Sequence, residues 1–130
     1  VQAGAHKILL TGDIEVKAEK QLIANYGNLL RSDLLLVPHH GSKTSSSLEF
    51  LQIVQPKYAL IPVGYKNQYG HPKAEILARY QLLGSKILRT DIEGALSFEI
   101  SADPNIALNF KSHRRAHSTI WRAYDLEYAR

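Results

Sequence analysis

Three short apolar runs punctuate the first half of the chain, and each is closed by residues that turn the backbone. Residues 6–11 (HKILLT) stop at Gly12-Asp13, residues 34–37 (LLLV) stop at Pro38, and residues 58–63 (YALIPV) carry Pro62 near their end. Runs this short and apolar suit buried strands, and Pro62 marks an edge or a strand end. Between them the apolar positions Val16, Ala18, Leu22, Ile23, Tyr26, Leu29 and Leu30 recur at helical spacing, with Gly27 placed to end or bend that helix. Ser46 and Glu49 have capping-box spacing at the start of a helix reaching about residue 54. Pro72 suits the first turn of a further helix over 73–83, closed by Gly84. Residues 86–89 and 95–100 read as two more strands, expected to pair antiparallel about a turn at 91–94, and 106–110 reads as a last one. Strand and helix in alternation predict an α/β layered architecture.

Polar residues of metal-ligand type follow the first three strands, where α/β folds tend to build sites. They are Asp13 in Thr11-Gly12-Asp13, the adjacent imidazoles of Pro38-His39-His40-Gly41-Ser42, and His71 at the end of Asn67-Gln68-Tyr69-Gly70-His71-Pro72. A carboxylate combined with imidazoles suits Zn²⁺, Mn²⁺ or Fe²⁺. Such an ion lowers the pKa of its water from 15.7 toward about 7. Each residue alone has a plainer reading. An Asp after a strand caps a turn, adjacent His side chains diverge so that one at most faces a given site, and a His before Pro caps a helix or lies on the surface. Recurrence at three strand ends, in a chain of six His, is what favours the metal. The hydroxyls of 42–47 cap the next helix or bind phosphate, and His113 and His117, at i, i+4 with Arg114 and Arg115 between them, read as surface.

Charge separates the chain into a nearly neutral body and a basic end. The net charge is +4, of which +3 falls in residues 111–130. A basic end of this kind suits contact with a phosphate backbone, which assigns Arg114, Arg115 and Arg122 as candidate nucleic-acid contacts. With no Cys, disulfides and thiolate metal sites are excluded, and no apolar run approaches the length of a membrane span. The chain begins Val-Gln-Ala-Gly-Ala and contains no Met, so it reads as a piece excised from something longer.

Four motifs together resemble one family. LLTGDIE at 9–15, LLLVPHHGSKTSSS at 34–47, Val63-Gly64 with Asn67 and Tyr69-Gly70-His71-Pro72, and Leu88-Arg89-Thr90-Asp91 with Gly94 cover roughly residues 7–100. They are similar in order and spacing to the metallo-β-lactamase-fold hydrolase domain of the ComEC family, bacterial competence proteins that take up DNA. The resemblance implies the C-terminal half of a metallo-β-lactamase-type αββα sandwich, with residues 1–103 as that partial domain and 104–130 as a basic tail. It implies Asp13 as a carboxylate bridging two divalent ions (Zn or Mn) and His40 as a metal ligand. His39 then faces substrate phosphate or packs, His71 contacts phosphate or donates a proton, and Ser42, Lys43 and Asn67 line the cleft. The implied reaction is phosphodiester hydrolysis by a bridging hydroxide, with DNA as substrate and one strand degraded as the other enters the cell. The implied setting is a soluble domain of an inner-membrane protein, on its outer side.

One part of the family pattern is missing. The N-terminal half of the fold carries an HxHxDH motif, HxDxDH in many relatives, and the chain contains neither. Catalytic zinc generally needs three protein ligands, so Asp13 and His40 alone are expected to bind metal weakly and to support little or no nuclease activity. The missing half also supplies one of two packed sheets, which leaves a sheet face for solvent, the tail or a second copy of the chain to cover. Two other readings differ in class. One is a non-catalytic module binding nucleic acid through its basic tail; the other is a metallo-hydrolase acting on another ester or phosphodiester.

Overall fold

In the computed structural model, which describes residues 1–103, 106 and 108–117, the apolar runs lie side by side. Five strands form one sheet in the order β1 (Gln2–Ala3), β2 (His6–Leu9), β3 (Leu34–Leu36), β4 (Tyr58–Ile61) and β5 (Lys86–Arg89). The short β1 returns antiparallel to β2, and β2 to β5 all run parallel. Each parallel step needs a crossover, supplied by α1 (Val16–Tyr26), α2 (Leu48–Val54) and α3 (Ala74–Leu82). Beyond β5 the chain makes a helical turn, α4 (Thr90–Glu93), then the strands β6 (Leu96–Glu99) and β7 (Asn109–Ser112), and a last turn, α5 (His113–Ala116).

Alternation along the strands decides which residues meet the helices. Leu35, Ala59 and Ile61 face one way and close a core with Phe50, Leu51 and Val54 of α2 and Ile76 and Tyr80 of α3. The opposite face carries Leu34, Tyr58, Leu60, Lys86 and Leu88 in register. The β6–β7 ribbon lies against part of it. The ring of Tyr58 meets Phe98 and Phe110 edge-on at 6.2 and 6.0 Å, its hydroxyl donates to the Leu108 carbonyl at 3.3 Å, and Lys86 Nζ stands 4.6 Å over the Phe110 ring. Beyond the ribbon, Leu36 and Leu60 are half-buried and Leu10 is exposed.

Two local expectations are corrected. Residues 86–89 do not pair with 95–100: β5 joins β4 in parallel, and β6 pairs antiparallel with β7, Phe98 opposite Phe110. The reason lies in Thr90–Glu93, which coil into a helical turn whose Glu93 is buried and whose Gly94 (φ 74°) redirects the chain off the sheet. The capping residue of α2 is Ser47, not Ser46: its Oγ accepts from Phe50 N, while Ser46 sits at φ 55° with its hydroxyl 3.0 Å from Tyr80 Oη. Elsewhere the expected elements are found with shifted ends: the last strand, expected over 106–110, is Asn109–Ser112. α1 stops at Tyr26 and a 3₁₀ turn over Gly27–Leu30 follows, and β4 stops at Ile61, just before Pro62. Residues 109–117 lie beyond the boundary expected at 103, yet they pair with β6 and return to α4 through Ser112 Oγ, which donates to the Glu93 carbonyl at 2.8 Å.

The turn before α2 is fixed from beneath by a buried carboxylate. Glu19 of α1 is fully buried and accepts from the backbone N–H groups of Ser46 and of Ser47, the latter at 2.9 Å. Arg79 Nη1 donates to the Ser46 carbonyl at 2.9 Å. Glu19→Ala strands one buried and one part-buried donor, so urea unfolding is expected to show a loss of about 3 kcal/mol. A loss under about 1 kcal/mol contradicts this role.

Candidate active site

The candidate residues converge where three parallel strands end. Thr11-Gly12-Asp13 leaves β2, Pro38–Gly41 leaves β3, and residues 62–73 leave β4. Hydrogen bonds tie these segments together. Thr11 Oγ1 donates to the Leu36 carbonyl at 2.6 Å, His39 N to the Gly12 carbonyl at 3.0 Å, and Lys73 N to the Gly41 carbonyl at 3.0 Å. The middle segment is strained: His39 (φ 49°), His40 (φ 54°) and Gly41 (φ 80°) are three consecutive residues in the left-handed region. Each non-glycine residue held there costs about 1–2 kcal/mol. In exchange the two imidazoles diverge at the strand end, toward different partners.

His40 turns toward Asp13. Its Nδ1 lies 2.6 Å from the Pro62 carbonyl, an oxygen that only accepts, so Nδ1 carries the proton and Nε2 of the neutral ring presents a lone pair. That Nε2 faces Asp13 Oδ1 at 3.4 Å. Two electron-pair donors at this separation call for a proton or a cation between them. The donor set therefore fits Zn²⁺ or Mn²⁺, and the carbonyl behind Nδ1 is the kind of outer partner that orients a ligating imidazole. Asp13 and His40 would supply two donors to such a centre. Among the described residues, no group of three His, Cys, Asp or Glu gathers in a metal-holding cluster.

His39 turns toward Glu15, with Nδ1 3.4 Å from Oε1, close but not aligned as a hydrogen bond. Glu15 is itself held, because Oε1 accepts from Thr44 Oγ1 at 2.8 Å. The His39 ring is 6.2 Å from that of His71. Burial, and then the charges of Lys73, His39 and His40, keep His71 below the ordinary imidazole range, so its ring stays neutral to lower pH. Its Nδ1 is enclosed without a partner.

Asp13, His39, His40 and His71 are thus brought together, while the other candidates hold the neighbouring loops. Asn67 grips the backbone of His71 from both sides, Nδ2 donating to its carbonyl at 2.6 Å and Oδ1 accepting from its N–H at 2.9 Å. Ser42 Oγ pairs with Thr44 Oγ1 at 3.2 Å, and Lys43 Nζ is 3.8 Å from Glu75 Oε1. Arg114 and Arg115 belong to the β6–β7 side: Arg114 Nη1 donates to the Asp91 carbonyl at 2.7 Å, and Arg115 grips the carboxylate of Glu93, Nε donating to Oε2 at 2.6 Å. Arg122 lies outside the described residues. His113 and His117 are exposed and stack on each other at 4.4 Å. The residue that the sequence reading missed is Glu15; the legible signal was its place two residues after Asp13, just before α1. A cavity of about 310 Å³ lies instead at the amino ends of the strands, among Lys7, Arg31, Asp33 and Lys57. The His–Asp site is open surface.

Two outcomes follow from this geometry. A Cβ at Gly41 meets Pro72 Cβ at 2.7 Å with φ at 80°, whereas one at Gly12 meets nothing within 4 Å at φ 58°. Thermal unfolding should therefore show Gly41→Ala losing about 2–3 kcal/mol and Gly12→Ala about 1 kcal/mol; equal losses contradict the Gly41–Pro72 contact. The hydrogen bond from Arg115 holds the buried Glu93 carboxyl below its ordinary 4.5. A depressed folded-state value adds stability above the unfolded value, and that stability is lost as pH falls through the folded one. The Tm gap between the chain and its Arg115→Ala variant should be full at neutral pH and close on acidification well below 4.5.

No family model matches the chain, and no solved structure matches it. Three relatives do. Competence protein ComA of Neisseria gonorrhoeae is 47% identical over 98 residues, 75% of this chain and 14% of that protein. The uncharacterized protein YcaI of Escherichia coli is 41% identical over 102 residues, 78% of this chain and 14% of that protein. ComE operon protein 3 of Bacillus subtilis is 38% identical over 98 residues, 75% of this chain and 12% of that protein. The chain thus spans no more than 14% of the length of these relatives. Over that segment, the chain belongs to the ComEC family of competence proteins.

Proposed function

We propose that the chain supplies the Asp13–His40 part of a metal-dependent phosphodiesterase site that hydrolyses DNA during uptake. In this reading the sheet and its three helices are the C-terminal half of a metallo-β-lactamase sandwich, the remaining ligands come from a preceding half, and the domain lies on the outer side of an inner-membrane protein. The observation that carries it is the pairing of His40 Nε2 with Asp13 Oδ1 at 3.4 Å, behind a ring whose Nδ1 is held by the Pro62 carbonyl. Competence in the name of one relative, ComA of Neisseria gonorrhoeae, supports the biological setting.

The divalent ions, when bound, supply hydroxide at neutral pH and offset charge on the phosphoryl oxygens. The rest falls to the side chains. Asp13 and His40, at the ends of β2 and β3, would hold the ions. His39, backed by Glu15 and Thr44, turns toward the substrate phosphate. His71 is neutral and its Nδ1 is enclosed without a partner. Its proton therefore belongs on Nε2, where it donates a hydrogen bond to a phosphate or leaving-group oxygen.

The test uses a full-length protein containing this segment, supplied with Mn²⁺ or Zn²⁺ and offered DNA, small phosphodiesters and lactones. DNA cleavage should fall by about 10³-fold or more in Asp13→Asn and in His40→Ala. Cleavage unaffected by either change refutes the site, and turnover of lactones with DNA left intact refutes the substrate.

A further inference from the structure

The loop between β4 and α3 is firmly built, yet it holds two large rings out in solvent. Asn67 brackets His71 as described, Gly70 N donates to the Asn67 carbonyl at 3.2 Å, Lys73 Nζ donates to the Tyr69 carbonyl at 2.7 Å, and Pro72 is buried beside Gly41. On this frame Tyr65 is 61% exposed and Tyr69 67% exposed. Tyr69 lies nearly parallel to His71, at 19° and 6.0 Å between centroids, and Lys66 Nζ stands 5.3 Å from the Tyr65 ring. From Gly64 to Lys73 the charges are Lys66 and Lys73, with no Asp or Glu among them and no Leu, Ile, Val, Phe or Trp.

We infer that Tyr65 and Tyr69 form a base-stacking platform for single-stranded nucleic acid at the lip of the His–Asp site. Exposed aromatic faces on a cationic frame are how sequence-tolerant single-strand binders work: every base has a π-face to stack, and lysines neutralise the backbone between. A duplex keeps its base faces stacked on one another, so the platform selects unpaired strands. A loop built to enter a membrane interface presents Trp, Phe or Leu beside its lysines, and this loop has none of them. The platform deepens the reading of the site as acting on nucleic acid by naming which strand state it holds. Stacking itself requires neither metal nor catalysis.

Binding of a fluorescein-labelled oligothymidylate to the chain, followed by anisotropy in EDTA at low salt, isolates the platform. Tyr65→Ala and Tyr69→Ala should each weaken binding roughly 5- to 100-fold, with circular dichroism unchanged because both rings are exposed, and Tyr69→Phe should bind like the parent. A hairpin duplex should bind at least about tenfold more weakly. No oligothymidylate binding, alanine variants that bind like the parent, a duplex that binds equally, or tyrosine-dependent binding to phosphatidylglycerol vesicles in place of the oligonucleotide would each overturn the proposal. Because the measurement needs no turnover, tyrosine-dependent binding alongside a full-length protein that cleaves no DNA supports the platform and counts against the hydrolase reading alone.

Discussion

Everything at the mouth of the sheet depends on one strained turn. Residues 39–41 occupy the left-handed region in succession, a conformation that local sterics oppose and that neighbours must enforce. The enforcement is visible on both sides: the carbonyl of Gly12 takes the N–H of His39, and the carbonyl of Gly41 takes the N–H of Lys73. The turn is thus bonded to the loop after β2 and to the entry of α3. Without those bonds His39 and His40 would relax toward extended backbone and no longer aim one ring at Asp13 and the other at Glu15.

Much of this was legible in the sequence, and the legible part has a common cause. The apolar runs, the helical spacing of Val16, Leu22 and Ile23, and Pro62 all act through short-range physics: burial of one residue's own surface, or the missing N–H of one proline. Asp13, His40 and His71 were readable because the turns that carry them hold glycine or proline at fixed offsets. What escaped was decided by partners distant in sequence. Ser46 has the better capping-box spacing, yet its hydroxyl pairs with Tyr80 Oη, thirty-four residues later, and leaves the cap to Ser47. Residues 86–89 read as one arm of a hairpin because 95–100 follows them closely, but the free edge of β4 competes for them and wins. Glu15 had only its place two residues after Asp13 to mark it, and its partner His39 stands twenty-four residues further on.

The basic end illustrates the same limit. As a string, residues 111–117 suggest a charged surface, and in the fold their cations already have work. Arg115 is bound to the carboxylate of Glu93, Arg114 to a main-chain carbonyl, and Lys111 to Glu99. These bonds join β7 and α5 to β6 and α4, so the ribbon that covers Tyr58 is clasped from its outer side. Net charge counts every ammonium and guanidinium alike, whereas long-range attraction follows the charge left after such pairing.

The hydrogen bond from His40 to the carbonyl of Pro62 reaches further than orientation. It commits the ring's single proton to the nitrogen facing the protein, so the nitrogen facing Asp13 is already bare in the neutral ring. A neutral imidazole so arranged needs no change of tautomer before it engages a cation. A proline carbonyl suits the task because it accepts a hydrogen bond while the residue offers no N–H of its own. The strand end at Pro62 thereby serves as an electronic device as well as a boundary.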